Sequence, residues 1–188
     1  MSSKEIEIKI EISSLEYKKN IVEFYQNGYF LGEKLQVDMY YSPAEDNFYD
    51  RGDRCLRIRT ENNLSILSYK HIHNENLDTQ YIEEYETQIG DLEMMKCILK
   101  ALHFKCEIIV EKHRVEFIYR DIYHVAFDEV KDLGYFLEIE NRNEKAKISE
   151  RNQELKALVY QLGLDINKRN QEGYSNMLYR KSKEKKGD

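Results

Sequence analysis

Residues 5–12 read Glu-Ile-Glu-Ile-Lys-Ile-Glu-Ile, an unbroken alternation of charged and β-branched side chains. Successive side chains of a strand point to opposite faces, so Glu5, Glu7, Lys9 and Glu11 share one face and four isoleucines the other. Taken alone, such a strand places its isoleucines on a core and its charges in water. The pattern gains weight because it recurs along the chain.

Residues 29–42 alternate Leu35, Val37, Met39 and Tyr41 with Gln36, Asp38 and Tyr40. Residues 54–61 set Arg57 and Arg59 against Leu56 and Ile58; residues 64–72 carry Lys70; residues 80–89 alternate Glu84, Glu86 and Gln88 with Tyr85, Thr87 and Ile89. Three more strands are predicted over 106–119 (Lys112, Arg114 and Glu116 opposite Val115, Phe117 and Tyr119), 123–130 (Asp128) and 135–142 (Glu138 and Glu140). Helical signals interrupt this series. Ser13 and Glu16 form a capping box for a helix that stops at Gly28, and Asp91 caps a helix over 91–102. A helical pattern runs from about 145 to Gly163, and a last helix starts at Tyr174. Residues 43–53 read as a connecting loop, 71–78 as a polar mobile loop and 181–188 as a charged tail that frays.

Eight mostly antiparallel strands with inserted helices predict an α+β fold, a single domain over 1–180. A sheet of that size tends to close into a barrel, which removes exposed edges. The expectation is a closed eight-stranded barrel turned inside out, with apolar faces outward beneath helices and charges inward around a wet lumen. Cross-strand ion pairs on a solvated sheet are the competing account.

Composition narrows the class. Of 188 residues 34% are charged and the net charge is −6, which argues against a general nucleic-acid binder. No apolar run approaches a membrane span of about 20 residues. Cys55, Cys97 and Cys106 have no metal-type spacing and read as buried, reduced thiols of a cytoplasmic protein. His71 and His73 lack a third ligand, and His103, His113 and His124 are scattered. No Ser-His-Asp or Cys-His arrangement and no phosphate-binding glycine loop can be placed.

Several bases gathered with several acids suit a metal-bound polyphosphate. Arg and Lys surround a polyanion, and carboxylates beside it hold hard cations such as Mg²⁺ or Mn²⁺. Glu5-x-Glu7-x-Lys9, Leu56-Arg57-Ile58-Arg59, Lys70, Glu84-Tyr85-Glu86, Lys112-x-Arg114 and Asp128…Leu133-Gly134-x-Phe136-x-Glu138-Ile139-Glu140 occur in the order found in CYTH proteins. The chain thus resembles the triphosphate tunnel metalloenzymes over residues 1–142, and its Tyr174-Ser175…Leu178 segment resembles the class IV adenylyl cyclase branch.

The resemblance implies Glu5, Glu7, Asp128, Glu138 and Glu140 as metal ligands for two Mg²⁺ or Mn²⁺ ions. It implies Lys9, Arg57, Arg59, Lys70, Lys112 and Arg114 as triphosphate-binding residues, with Lys9, Glu84 and Glu86 in catalytic roles. The substrate would be a small-molecule triphosphate, without nucleic acid or membrane, and a homodimer stays open. A cyclase directs the ribose 3′-oxygen at the α-phosphorus of ATP; a triphosphatase directs water at the terminal phosphorus. Where better-defined cyclases of the family carry His-Phe ahead of the acidic repeat, this chain has Ser2-Ser3-Lys4. That departure weakens the cyclase expectation and leaves the triphosphate cage intact. A polyphosphate-binding module without turnover is the remaining alternative.

Overall fold

The computed structural model describes residues 6–76, 79–143, 145–170 and 172–184, and their side chains apart from those of residues 51, 72–76 and 79–82. The elements run β1 (Glu7–Ile12), α1 (Ser14–Asn27), β2 (Tyr29–Pro43), α2 (Phe48–Arg51), β3 (Arg54–Glu61), β4 (Leu64–Asn76), β5 (Thr79–Gln88) and α3 (Leu92–Ala101). They continue with β6 (Phe104–Tyr119), β7 (Tyr123–Val130), β8 (Gly134–Asn141), α4 (Ile148–Gln161), a 3₁₀ turn (Ile166–Lys168) and α5 (Tyr174–Glu184).

The strands form one sheet in the order β1-β8-β7-β6-β2-β3-β4-β5. This is the expected α+β content, but the hydrogen bonding does not make the expected closed ring. Among the described residues the order has two ends, β1 and β5. The outer edge of β1 is occupied locally: Ile10 bridges Arg169, and the Asn170 amide donates to the Lys9 carbonyl at 2.8 Å.

Four local expectations also change. The thiols are not buried as expected: Cys97 and Cys106 are exposed and Cys55 is half-buried. Residues 71–76 continue β4 instead of forming a loop, because backbone pairing with β5 extends past Lys70 and asks nothing of side-chain polarity. Residues 43–53 contain α2, whose cap Asn47 accepts from the Tyr49 amide at 2.9 Å. Residues 181–184 remain helical. There the Ser182 hydroxyl donates to the Tyr179 carbonyl at 2.7 Å, and the Lys183 ammonium sits 5.1 Å from the Tyr179 ring centre.

The chain divides into two compact units, Met1–Lys34 with Lys112–Glu172 and Leu35–Glu111 with Gly173–Asp188. In the first, register decides which side chains share a face. Glu7 lies opposite Glu140 and Lys9 opposite Glu138; Ala126 faces Glu138, and Arg114 faces Asp128. The alternate positions, Ile6, Ile8, Ile10, Ile12, Val115, Phe117, Val125, Phe127, Leu137 and Ile139, form a buried cluster with Phe24 of α1 and Leu155, Leu158 and Val159 of α4. Each such side chain stabilises the fold by about 1.5–3 kcal/mol on leaving water. The capping box is formed as expected: Ser13 Oγ accepts from the Glu16 amide at 3.2 Å, and the Ser13 amide donates to the Glu16 carboxylate at 2.6 Å.

The second unit repeats the arrangement. Asp38 pairs with Arg59, Tyr40 with Arg57, and Lys70 with Glu84 across β2, β3, β4 and β5. Met39, Tyr41, Leu56 and Ile58 take the alternate positions and pack with Leu99 of α3. Among the described residues no helix is long and apolar enough to cross a membrane.

Candidate functional site

At its centre the charged face of the first unit is withdrawn from solvent. Asp128 has no exposed area and Lys112 is 6% exposed, although both are charged. Burying charge costs several kcal/mol per ion unless it is paired and hydrogen-bonded. Here it is both. Arg114 Nε donates to Asp128 Oδ1 at 2.6 Å and a terminal nitrogen to Oδ2 at 2.5 Å, while Lys112 Nζ reaches Oδ2 at 3.3 Å. Arg114 also donates to Glu138.

The neighbouring row carries Lys9, half-buried on β1. Its ammonium donates to the Glu172 carbonyl. Burial lowers its pKa against the opposing pull of Glu138, Glu7 and Asp128. One strand step away, Glu116 takes the Lys34 ammonium at 2.6 Å and His124 Nε2 at 3.2 Å. Burial resists its charge, yet those two hydrogen bonds and the nearby cations outweigh it and hold its pKa down to about 2. Glu140 contacts Arg142 at 2.7 Å and His124 Nδ1 at 3.9 Å.

In the second unit the centre is Arg59, whose Nε and one terminal nitrogen grip Asp38 at 2.6 and 2.7 Å. Arg57 Nε donates to Ser68 Oγ at 3.2 Å and its guanidinium lies 3.8 Å from Glu86. Lys70 pairs with Glu84 at 2.8 Å. Tyr40, opposite Arg57, has its phenol pushed up to about 12 by burial and by the Asp38 carboxylate.

Of the expected residues, Lys9, Lys112, Arg114, Asp128 and Glu138 stand together in the first unit, with Glu7 and Glu140 opposed beside them. Arg57, Arg59, Lys70, Glu84 and Glu86 stand together in the second. Glu5 lies outside the described residues, as does the His73 side chain. His71 Nε2 is 4.0 Å from Asp53.

Sequence reasoning overlooked Lys34, Ser68 and the bridging position of His124. Each shares strand parity with a residue that was singled out: Lys34 with Asp38, Ser68 with Lys70 and His124 with Asp128.

Whether divalent ions suit this site turns on the donors. Glu7 and Glu140 face one another across β1 and β8, a like-charge pairing that destabilises a sheet unless a cation intervenes. All-oxygen carboxylate donors match Mg²⁺ or Mn²⁺. Asp128, by contrast, already has both oxygens engaged by Lys112 and Arg114. Among the described residues no three His, Cys, Asp or Glu side chains gather as a preformed metal group.

Comparison with known proteins places these features in a family. The model of the CYTH domain matches residues 3–169. A protein of Methanocaldococcus jannaschii named "Putative adenylate cyclase" is 35% identical over 161 residues, 82% of this chain and 89% of that protein. The structure of the PH1819 protein from Pyrococcus horikoshii OT3 superposes with a TM-score of 0.73 at 27% identity, covering 94% of this chain and 99% of the other. An adenylyl cyclase-named protein from Hippeastrum, described as having a dominant triphosphatase activity, shares the fold at a TM-score of 0.65 and 16% identity, over 95% of each chain.

Proposed function

Because the chain belongs to the CYTH domain family, we propose that it is a metal-dependent enzyme acting on a small-molecule triphosphate. The reading placed first is an adenylyl cyclase-like conversion of ATP to cyclic AMP and pyrophosphate. The observation that carries the triphosphate reading is the buried cluster of Lys112, Arg114 and Asp128 on the face of the sheet opposite the packed isoleucines. Purely structural ion pairs are usually left at the surface, where desolvation is small.

In this reading Lys9, Lys112 and Arg114, and in the second unit Arg57, Arg59 and Lys70, bind phosphate oxygens. Asp128 and Asp38 fix the planes of Arg114 and Arg59, so that both guanidinium groups are oriented in advance. Glu84 and Glu86 hold Lys70 and Arg57 in the same way. Glu7, Glu138 and Glu140 are the residues that would hold Mg²⁺ or Mn²⁺, with Glu5 as a further expected ligand. When bound, the ions would neutralise charge on the phosphoryl oxygens. Phosphoryl transfer asks chiefly for positioning and charge stabilisation, which this set of groups supplies.

The runner-up is a triphosphatase acting on tripolyphosphate, thiamine triphosphate or a nucleoside triphosphate. It is favoured by Ser2-Ser3-Lys4 standing where the cyclases carry His-Phe. The name of the M. jannaschii relative supports the cyclase, and the fold is compatible with either. Incubating the protein with ATP and with tripolyphosphate, in Mg²⁺ and in Mn²⁺, and resolving cyclic AMP plus pyrophosphate from orthophosphate separates the two. Absence of turnover of ATP, tripolyphosphate and thiamine triphosphate with both metals would overturn the enzyme reading.

A further inference from the structure

In the first unit a second row of charged side chains runs beside the cluster built on Asp128. Across β7, β8 and β1 the register sets His124 opposite Glu140 and Glu140 opposite Glu7. Glu116 is the diagonal neighbour of His124, since Ile118 is the residue facing it on β6. Of these four side chains His124 alone can offer a nitrogen lone pair. We infer that His124 Nδ1 is a ligand to the divalent ion that Glu140 and Glu7 hold, and that the site therefore selects Mn²⁺ over Mg²⁺. The inference rests on the metal-dependent reading above and deepens it by naming the class of ion.

Three observations carry it. First, the imidazole is oriented from behind. Its Nε2 stands 3.2 Å from Glu116 Oε1, and Glu116 also takes the Lys34 ammonium at 2.6 Å. Burial resists the charge on Glu116, yet those contacts hold its pKa down to about 2. An ionised carboxylate can only accept, which assigns a ring proton to Nε2. In the neutral tautomer so fixed, the lone pair is on Nδ1. A carboxylate gripping the far nitrogen is the usual support of a metal-binding histidine.

Second, Nδ1 faces Glu140 across a gap that an ion fits. Nδ1 lies 3.9 Å from Glu140 Oε2, too far for a hydrogen bond. A lone pair set against a carboxylate at that distance gains nothing unless a cation stands between them. Two donors, each about 2.1 Å from one ion, are separated by roughly 3 Å at a right angle and about 4.2 Å on opposite sides. The observed gap lies inside that range. Glu7, opposite Glu140 on β1, adds a further oxygen donor, and the other positions of the ion are left to water or phosphate oxygens.

Third, the group that competes for Glu140 is the more easily displaced one. Arg142 Nε donates to Glu140 Oε2 at 2.7 Å, but the Arg142 side chain is 51% exposed, against 16% for His124 and 14% for Glu116. Arg142 can turn into water, whereas the imidazole and its supporting carboxylate are largely enclosed. Imidazole suits transition ions, while Mg²⁺ demands oxygen ligands in a near-ideal octahedron. Carboxylates alone serve both Mg²⁺ and Mn²⁺; one nitrogen among them separates the two.

The test is pulsed electron paramagnetic resonance of Mn²⁺ bound to the intact chain, to His124→Gln and to Glu116→Gln. The wild type should show ¹⁴N modulation from a directly bound imidazole, replaced by the ¹⁵N pattern when its histidines are ¹⁵N-labelled and absent from His124→Gln. Titration of the free Mn²⁺ signal, with Mg²⁺ as competitor, should give the wild type at least a tenfold preference for Mn²⁺. In His124→Gln the Mn²⁺ affinity should fall about tenfold and the Mg²⁺ affinity less than twofold. Glu116→Gln keeps the ring but removes the anion behind it, and should weaken Mn²⁺ binding severalfold with the modulation retained. No bound Mn²⁺, Mn²⁺ bound without nitrogen coupling, or a coupling that survives His124→Gln would overturn the inference. Equal losses of Mn²⁺ and Mg²⁺ affinity would also overturn it, as the mark of a histidine that only positions Glu140. Should the substitutions prevent folding, the labelled wild type decides between a histidine ligand and none. The underlying reading fails separately. Nitrogen-coupled Mn²⁺ in a protein that turns over no triphosphate leaves this ligand standing, whereas triphosphate turnover without nitrogen coupling removes His124 and leaves the enzyme.

Discussion

Arg114 of β6 grips Asp128 of β7 through two nitrogens, at 2.6 and 2.5 Å, while Asp128 has no exposed area. The pairing is directly cross-strand, so backbone register and side-chain geometry agree on it. Its meaning is asymmetric. A buried ion pair adds little net stability, but removal of one partner leaves uncompensated charge.

Asp128→Ala is therefore expected to destabilise the fold by roughly 3–5 kcal/mol, since Lys112 and Arg114 lose their shared acceptor. Replacing Lys112, Arg114 and Asp128 together by Met, Leu and Leu should recover most of that loss. Chemical denaturation of the two variants checks this. A single variant as stable as the wild type would show the cluster to be energetically idle.

Arg59 and Asp38 make the corresponding two-pronged contact in the second unit. Lys offers a point charge in place of a planar fork. Arg59→Lys should preserve the unfolding midpoint to within a few degrees and weaken tripolyphosphate binding about tenfold, equivalent to ~1.4 kcal/mol. Calorimetry and thermal melts on one sample separate these outcomes.

Much of this was legible in the sequence, because side-chain parity needs no tertiary information. Ile6, Ile8, Ile10 and Ile12 fall in one buried cluster and Glu7 and Lys9 on the opposite face, as alternation requires. Partner choice was not legible. Asp38 and Arg59 are separated by 21 positions and meet only through the β2–β3 register. Barrel closure was over-read, since strand count says nothing about which segment occupies an edge, and residues 169–170 occupy that of β1.

Gly28 shows a correct stop signal with a different cause. Its φ of −105° is open to any residue, so no left-handed turn demands glycine. A Cβ there would stand 2.8 Å from the Phe24 carbonyl oxygen, and backbone cannot yield cheaply. Gly28→Ala is expected to cost about 1–3 kcal/mol through steric strain at the end of α1. Urea denaturation measures it, and a loss below about 0.5 kcal/mol would show that the helix end relaxes freely.

Acid should expose the Glu116 network. Its folded pKa of about 2 lies below the ordinary 4.5, so its contribution is complete above pH 4.5 and is lost as pH falls from there towards 2. The ceiling is on the order of 3 kcal/mol. Glu116→Gln should flatten the stability profile between those limits while lowering stability at neutral pH. Identical slopes in wild type and variant would place the acid sensitivity elsewhere.

The opposition of Glu7 and Glu140 makes a prediction about metal that does not depend on turnover. Glu7 is exposed on its strand, and substitutions at exposed positions usually move stability by no more than about 0.5 kcal/mol. Glu7→Gln should thus melt like the wild type in the presence of a chelator. If the opposed carboxylates take up Mn²⁺, ligand-linked stabilisation follows RT ln(1 + [L]/Kd), and millimolar Mn²⁺ should raise the wild-type midpoint well above that of Glu7→Gln. The same titration followed by the Mn²⁺ electron paramagnetic resonance signal counts the bound ions directly. An equal midpoint shift in both proteins would remove Glu7 from the metal site.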